Sequence, residues 1–186
     1  MNYLSKATLS GALWLAAIFL CATIFLSASR LLAQVPSVIA VPDEVPAVSL
    51  HAEGAQIYRC ESVSQSKFEW QAREPIATLI LDGNTVGRHY AGLHWDQVDG
   101  STFRWEHIDG SAVQAKVAAS VPGATPDDMP WLRLQVTSQN RNGMLYGVAA
   151  VQRINTRGGM ARGSCDRAGA YLSVPYSADY VFWRED

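Results

Sequence analysis

The sequence lacks the short signatures that mark the common enzyme mechanisms. It contains no G-x-S-x-G nucleophile elbow, no G-x-G-x-x-G dinucleotide fingerprint, no phosphate-binding loop, no H-E-x-x-H zinc motif and no calcium-binding loop of the helix-loop-helix kind. These absences argue against hydrolases, oxidoreductases and metallopeptidases of those kinds. We therefore expect no cofactor and no bound metal.

A cluster of basic residues is also missing. The chain has 15 Lys and Arg against 17 Asp and Glu, which gives a formal net charge of −2 at pH 7. Proteins that hold nucleic acid or acidic lipid by charge present a positive patch to the phosphates. The composition therefore gives no reason to expect a nucleic-acid partner.

Cysteine is scarce, with three in the chain. Cys21 lies in an N-terminal hydrophobic run, which leaves Cys60 and Cys165. In an exported chain an isolated pair is most simply a disulfide, which here would close a loop of about 100 residues and add roughly 4–5 kcal/mol in the chain-entropy model. The rival is a catalytic thiol, which needs a positioned histidine that neither local sequence supplies.

One long hydrophobic run is present, at residues 7–29, flanked by Lys6 and Arg30. It is longer than the roughly 7–15 apolar residues of a signal peptide and matches the roughly 20 needed to cross a membrane. Small residues at 27–29 still suit a peptidase. We predict that residues 1–33 are either a cleaved signal or a retained anchor in the inner or plasma membrane, and that the rest is periplasmic or extracellular.

The remainder is typical of a β protein. Residues 34–50 contain three prolines, which predicts an extended linker. From 51 to 186 the apolar segments are short and separated by glycine turns, and in "PWLRLQVTS" Leu132, Leu134 and Val136 alternate with polar residues. We predict a mainly β chain: one antiparallel β-sandwich or barrel-like domain after the N-terminal hydrophobic helix.

A local repeat, W-x-x-x-DGS, occurs twice in "HWDQVDGSTFRWEHIDGSAV". A three-residue loop at 108–110, with glycine in the left-handed region, pairs Trp105 with Val113 and Phe103 with Ala115. The same loop one repeat earlier pairs Trp95 with Phe103. A two-residue loop would mix aromatic and charged side chains on both faces, so the three-residue loop is favoured.

The aromatic row Trp95, Phe103 and Trp105 has two interpretations. Such a row is either a stacking platform for sugar rings or part of the hydrophobic core. Core is the commoner outcome for large apolar side chains on one face.

A second set of candidates is chemical. His89 and Tyr90 are adjacent and are candidates for general acid–base catalysis with a carboxylate, for which Asp179 is the candidate. The alternative is a hydrogen-bonded structural histidine and an aspartate that caps a turn. The histidines and acids of the repeat favour turns and a solvated face over a metal site, because zinc requires three or four converging ligands.

Motifs along the exported part resemble the uncharacterised family called domain of unknown function 3455. They are "HAEGAQIYRCE", "VGRHYAG" with Trp95, "DGSAVQAKV", "PWLRL", "INTRGG", Cys165 and "VPYSADY". The resemblance extends from about His51 to Phe182 and implies one compact domain after a leader, without an established activity or ligand. The family pattern has one W-x-x-x-DGS unit, so the second predicts an added strand and turn.

Taken together, these observations predict an exported or membrane-anchored β-rich protein of the cell envelope that binds or supports another component without catalysis. The sequence does not identify the partner: an envelope component or a glycan would suit this role, and the membrane itself is contacted through the N-terminal segment if that segment is retained. The alternative is an enzyme that acts on a small molecule or glycan, using His89, Tyr90 and a carboxylate.

Overall fold

The computed structural model describes residues 35–64, 67–91, 102–140 and 142–186. These residues form one compact unit built from strands, with one short 3-10 helix, Ser37–Ile39. The strands are β1 (Glu44–Ser64), β2 (Lys67–Leu81), β3 (Asn84–Ala91), β4 (Thr102–His107), β5 (Ala112–Val121), β6 (Trp131–Gln139), β7 (Val148–Gly158) and β8 (Tyr171–Glu185).

The strands form a closed up-and-down barrel. Each strand pairs antiparallel with the next, and β1 also pairs with β8, with His51 opposite Asp179. The prediction of a mainly β, antiparallel, barrel-like domain is confirmed. The alternation predicted for β6 is also present, since Leu132 and Leu134 are buried in the core.

The β4–β5 hairpin has the predicted register. Trp105 pairs with Val113, and Phe103 pairs with Ala115. Gly110 has a φ of 82°, and its amide donates to the carbonyl of His107. The three-residue loop therefore forms with glycine in the left-handed region, as expected where an L side chain would be strained.

The pairing predicted for the first copy of the repeat is wrong. The residue opposite Phe103 on the other side of β4 is Ala91, and His89 is opposite Trp105. On the side away from β5, β4 therefore pairs with β3. Trp95 itself lies outside the described residues, as does the rest of 92–101.

The segment predicted as a linker, 34–50, contributes to the barrel from residue 44 onward. Proline's extended backbone, which suggested a tether, is equally compatible with a strand where no amide hydrogen is needed. Pro46 lies beside a register shift between β1 and β8, where such a donor is dispensable. Before β1, Ile39 is fully buried, and Gln152 donates a hydrogen bond of 2.7 Å to its carbonyl.

The predicted leader, residues 1–33 with its hydrophobic run 7–29, lies outside the described residues. Within the part of the chain that the structure describes, no helix has the length and apolar character needed to cross a membrane.

Strand β2 continues past a proline. It runs without interruption from Lys67 to Leu81 and includes Pro75. Pro75 pairs with Gln56 of β1, and the described pairing with β3 ends one residue later, at Ile76. Among the described residues Pro75 has no partner on the β3 side of the strand, which suits a residue that lacks an amide hydrogen.

Alternate connections lie at opposite ends of the barrel. The β2–β3 and β4–β5 turns and the β6–β7 connection lie at one end, named the Asp109 end. The β5–β6 connection (122–130) and the β7–β8 connection (159–170) lie at the other. This is named the Arg153 end, because Arg153 bonds Pro130 in the first of these connections.

The Asp109 carboxylate joins the β4–β5 turn to the β6–β7 connection. Asp109 accepts hydrogen bonds from the amides of Ser111, at 2.8 Å, and Met144, at 2.7 Å. A Cβ at residue 143 would lie 2.6 Å from this carboxylate, so Gly143 is required there, and its φ of +75° also favours glycine. Burial raises the pKa of Asp109, but its hydrogen bonds outweigh burial and hold the pKa well below the usual range.

Candidate ligand-binding cavity

A cavity opens into the barrel interior at the Arg153 end. Its volume is about 320 Å³, and it is lined by side chains from opposite walls of the ring. Most are aromatic or apolar, and a few are polar, which is the usual composition of small-molecule sites. The lining residues are Gln56, Tyr58, Trp70, Ala72, Arg73, Pro75, Phe103, Met129, Pro130, Arg153 and Met160.

Arg153 is the buried cation of this cavity. It is 5% exposed, and it lies two residues beyond Val151 on the same, inward-facing side of β7. Its Nε and Nη2 donate to the carbonyl of Pro130 at 3.1 and 3.0 Å. Its Nη1 lies 3.9 Å from the sulfur of Met129. The β7 strand thus places a permanent positive charge at the cavity wall.

Tyrosines surround this charge. Tyr58 donates a hydrogen bond of 2.6 Å to the carbonyl of Gly159, and its pKa is raised by burial. The hydroxyls of Tyr176 and Tyr180 lie 3.5 Å apart deeper in the barrel. Burial raises the pKa of both, so all three hydroxyls are protonated at neutral pH.

His89 is a neutral core histidine. It is 1% exposed and stacks on Trp105, with ring centroids 4.5 Å apart and an interplanar angle of 8°. Its Nδ1 lies 2.9 Å from the carbonyl of Arg104, which can only accept, so Nδ1 carries the hydrogen. Burial lowers the pKa of His89 to about 3, and its Nε2 has no hydrogen-bond partner among the described residues.

The other two chemical candidates lie elsewhere. Tyr90 points out of β3, where it donates to Glu106 at 2.6 Å and accepts from Arg104 at 2.8 Å. Asp179 lies on the outside of β8, 2.8 Å from His51 and bonded to Asn155. Because His89 faces the interior, the structure does not bring the proposed acid–base group together.

The aromatic row is divided between core and cavity. Trp105 is fully buried, so it cannot stack on an exposed sugar ring. Phe103, one step closer to the Arg153 end, is partly buried and lines the cavity. Trp95, the third member of the row, lies outside the described residues.

The predicted disulfide is present. Cys60 of β1 and Cys165 of the β7–β8 connection are joined, across a separation of 105 residues. Cys60 is also bonded through its backbone to Gly169 and Ala170. The bridge therefore attaches one rim of the Arg153 end to β1.

A comparison with known protein families supplies an identity. The family described as "Protein of unknown function (DUF3455)" matches residues 80–184, more than half of the chain. The chain belongs to this family. No curated protein and no solved structure matches it.

In this DUF3455 protein the family match covers part of the cavity. Phe103, Met129 and Arg153 lie within the matched residues, whereas Gln56 and Tyr58 precede them. Among the residues that the structure describes, no three His, Cys, Asp or Glu side chains gather into a metal site.

Arg153 is not among the site residues predicted from the sequence. It lies in β7, which begins at Val148. A signal was present, because Val151 and Arg153 are two residues apart and so share a face. A charge on the apolar face of a core strand is the pattern that would have found it.

Proposed function

We propose that this DUF3455 protein is an exported, non-enzymatic binding protein of the cell envelope that holds a small molecule in the cavity at the Arg153 end. The carrying observation is the cavity of about 320 Å³ inside a closed eight-stranded barrel. A barrel of about eight strands has an interior that side chains either fill or leave open for one small ligand. Here the Arg153 end has such an open volume.

The arrangement of titratable groups favours binding over catalysis. A general acid or base works best with a pKa near the operating pH. Burial lowers the pKa of His89 to about 3, and its ring is covered by Trp105 and Tyr180. Tyr90 and Asp179 are on the outer face, bonded to other side chains.

Export is supported by the disulfide and by the predicted leader. Disulfides persist in oxidising compartments and are rare in reducing ones. The Cys60–Cys165 bridge lies at the rim of the same end that holds the cavity. A ligand taken up there would be met in the periplasm or outside the cell.

The test uses a neutral fluorescent probe, N-phenyl-1-naphthylamine, whose emission rises in apolar surroundings. We expect the purified full chain to bind it saturably. The variant Ala72→Trp, which places an indole at the cavity wall, should weaken binding at least about tenfold, or 1.4 kcal/mol. Thr78→Trp, at an exposed position on the opposite face of β2, is the matched control and should bind as wild type does.

Unsaturable binding, or equal weakening by both tryptophan variants, would count against a site in this cavity. Thermal melts of each variant establish that the barrel is intact.

A further inference from the structure

We infer that the cavity selects ligands that carry an anionic group on a small apolar body, and that the Arg153 guanidinium binds the anion. This inference rests on the proposed binding function, because it names the class of ligand for the same cavity.

The first step is the burial of a charge that cannot be removed. Arg153 is 5% exposed, and a guanidinium remains protonated in proteins. Arginine is almost never this deeply buried unless it is paired, because taking an ion out of water is costly. Its burial therefore calls for a counter-charge.

The second step is that its protein partners are neutral. The guanidinium donates twice to the Pro130 carbonyl and lies beside the Met129 sulfur, a weak acceptor. Its charge also acts on Tyr58, His89, Tyr176 and Tyr180, all neutral at pH 7. Among the ion pairs of residues 35–64, 67–91, 102–140 and 142–186, none includes Arg153.

The third step is the contrast with Arg73, a second cation at the cavity wall. Its Nε lies 3.4 Å from Glu74 Oε1, and its guanidinium lies over the ring of Tyr171. Among the residues that the structure describes, a carboxylate thus pairs with Arg73 and none pairs with Arg153. Because Arg153 lines the cavity, a ligand can supply the missing negative charge.

The shape of the cavity describes the rest of the ligand. Trp70, Phe103, Met129 and Met160 line its walls, which suits an aromatic or branched apolar body. Its 320 Å³ is at the small end of the roughly 300–1,000 Å³ of ligand pockets. A short organic carboxylate therefore fits better than a long-chain lipid.

The experiment compares two ligands that differ only in charge. Wild-type protein is titrated by calorimetry at pH 7 with 4-phenylbutyrate and with its neutral amide, 4-phenylbutyramide. A hydrogen bond to a charged group favours the carboxylate by about ten- to a hundredfold. Arg153→Met should abolish this preference while still binding the amide, and Arg153→Lys should retain part of it. Arg157→Met, at an exposed position on the same strand, is the matched control and should keep it in full.

The outcomes are separable. If wild type binds both ligands equally, or if Arg153→Met keeps the preference, the anion inference is overturned and the binding function stands. If neither ligand nor the neutral probe binds, the proposed function itself fails. Should Arg153→Met not fold, the wild-type preference and its reduction in Arg153→Lys decide the question.

Discussion

The two ends of the barrel differ in how the protein pairs the charged group found there. At the Asp109 end a carboxylate accepts hydrogen bonds from two backbone amides, and the Ser111 hydroxyl accepts another from Leu145. At the Arg153 end a guanidinium faces carbonyl, sulfur and neutral hydroxyl groups, with open volume beside it.

The difference separates stability from binding within one ring of strands. A polar network that is fully satisfied rigidifies the structure around it, whereas a partly satisfied one is costly to the free protein. Functional sites are where proteins tolerate that cost. We therefore expect substitutions at the Asp109 end to affect unfolding, and substitutions at the Arg153 end to affect ligand affinity.

The largest expected effect comes from the rim of the Arg153 end. Replacing Cys60 and Cys165 together by alanine should lower the free energy of unfolding by about 4–5 kcal/mol, because the bridge closes a loop of about 100 residues. Urea unfolding of the double variant and of reduced wild type measures the loss. A loss below about 1 kcal/mol would mean that the backbone bonds of Cys60 hold this rim by themselves.

The core between the two ends should make stability depend on pH. His89 has its pKa lowered to about 3 by burial, below the roughly 6.5 of an unfolded histidine. At a pH between these two pKa values, the unfolded chain therefore binds one more proton than the folded chain does. The His89 contribution to the free energy of unfolding is complete above pH 6.5. It falls by about 1.4 kcal/mol for each pH unit as the pH is lowered toward the folded pKa.

Urea unfolding between pH 4 and 7 measures this slope. The variant His89→Asn should flatten it, and Ile76→Ala, an exposed control that removes no titrating group, should not. An unchanged slope in His89→Asn would assign the acid sensitivity to other residues.

The next effect tests the Asp109 end. Asp109→Asn should lower the free energy of unfolding by about 1–2 kcal/mol, since it weakens hydrogen bonds to a carboxylate that is about one-third exposed. The Asp109 pKa is lowered by its hydrogen bonds, so this stability is present above about pH 4, the unfolded pKa, and is lost as the pH falls through the folded pKa. Ligand affinity should be unchanged, and a large affinity loss would contradict the separation of the two ends.

The smallest effect on stability is expected at Arg153. Arg153→Met should change the free energy of unfolding by no more than about 1 kcal/mol in either direction, because removing an unbalanced buried charge offsets the lost bonds to Pro130. Chemical unfolding without ligand measures this. A loss of several kcal/mol would make Arg153 a structural residue rather than one held for a ligand.

Much of the fold was predictable because local rules act without competition there. The Ile108-Asp109-Gly110 loop has the register expected from keeping Trp105 and Val113 on the buried face. Cys60 and Cys165 form a disulfide, as expected of the two cysteines that lie outside the N-terminal hydrophobic run. Alternation in β6 predicts its inner face directly.

The candidate site was not predictable in the same way. Choosing strand partners for β4 required knowing that β3 lies beside it, a pairing that local pattern does not encode. Adjacency along the chain made His89 and Tyr90 a pair, yet successive strand residues point to opposite faces. The cavity is assembled from β1, β2, β4, β7 and the β5–β6 and β7–β8 connections, so its composition appears only once the ring is closed.

The pairing of the first strand with the last sets the order in which the chain can fold. His51 and Asp179, 128 residues apart, meet in the seam that closes the ring. Contacts between such distant residues are slow to form, because the intervening loop must be closed first. A chain truncated before Tyr171 would leave the edges of β1 and β7 without their partner, open to pairing with other chains. Completion of the last strand is therefore the step that converts an aggregation-prone sheet into a barrel.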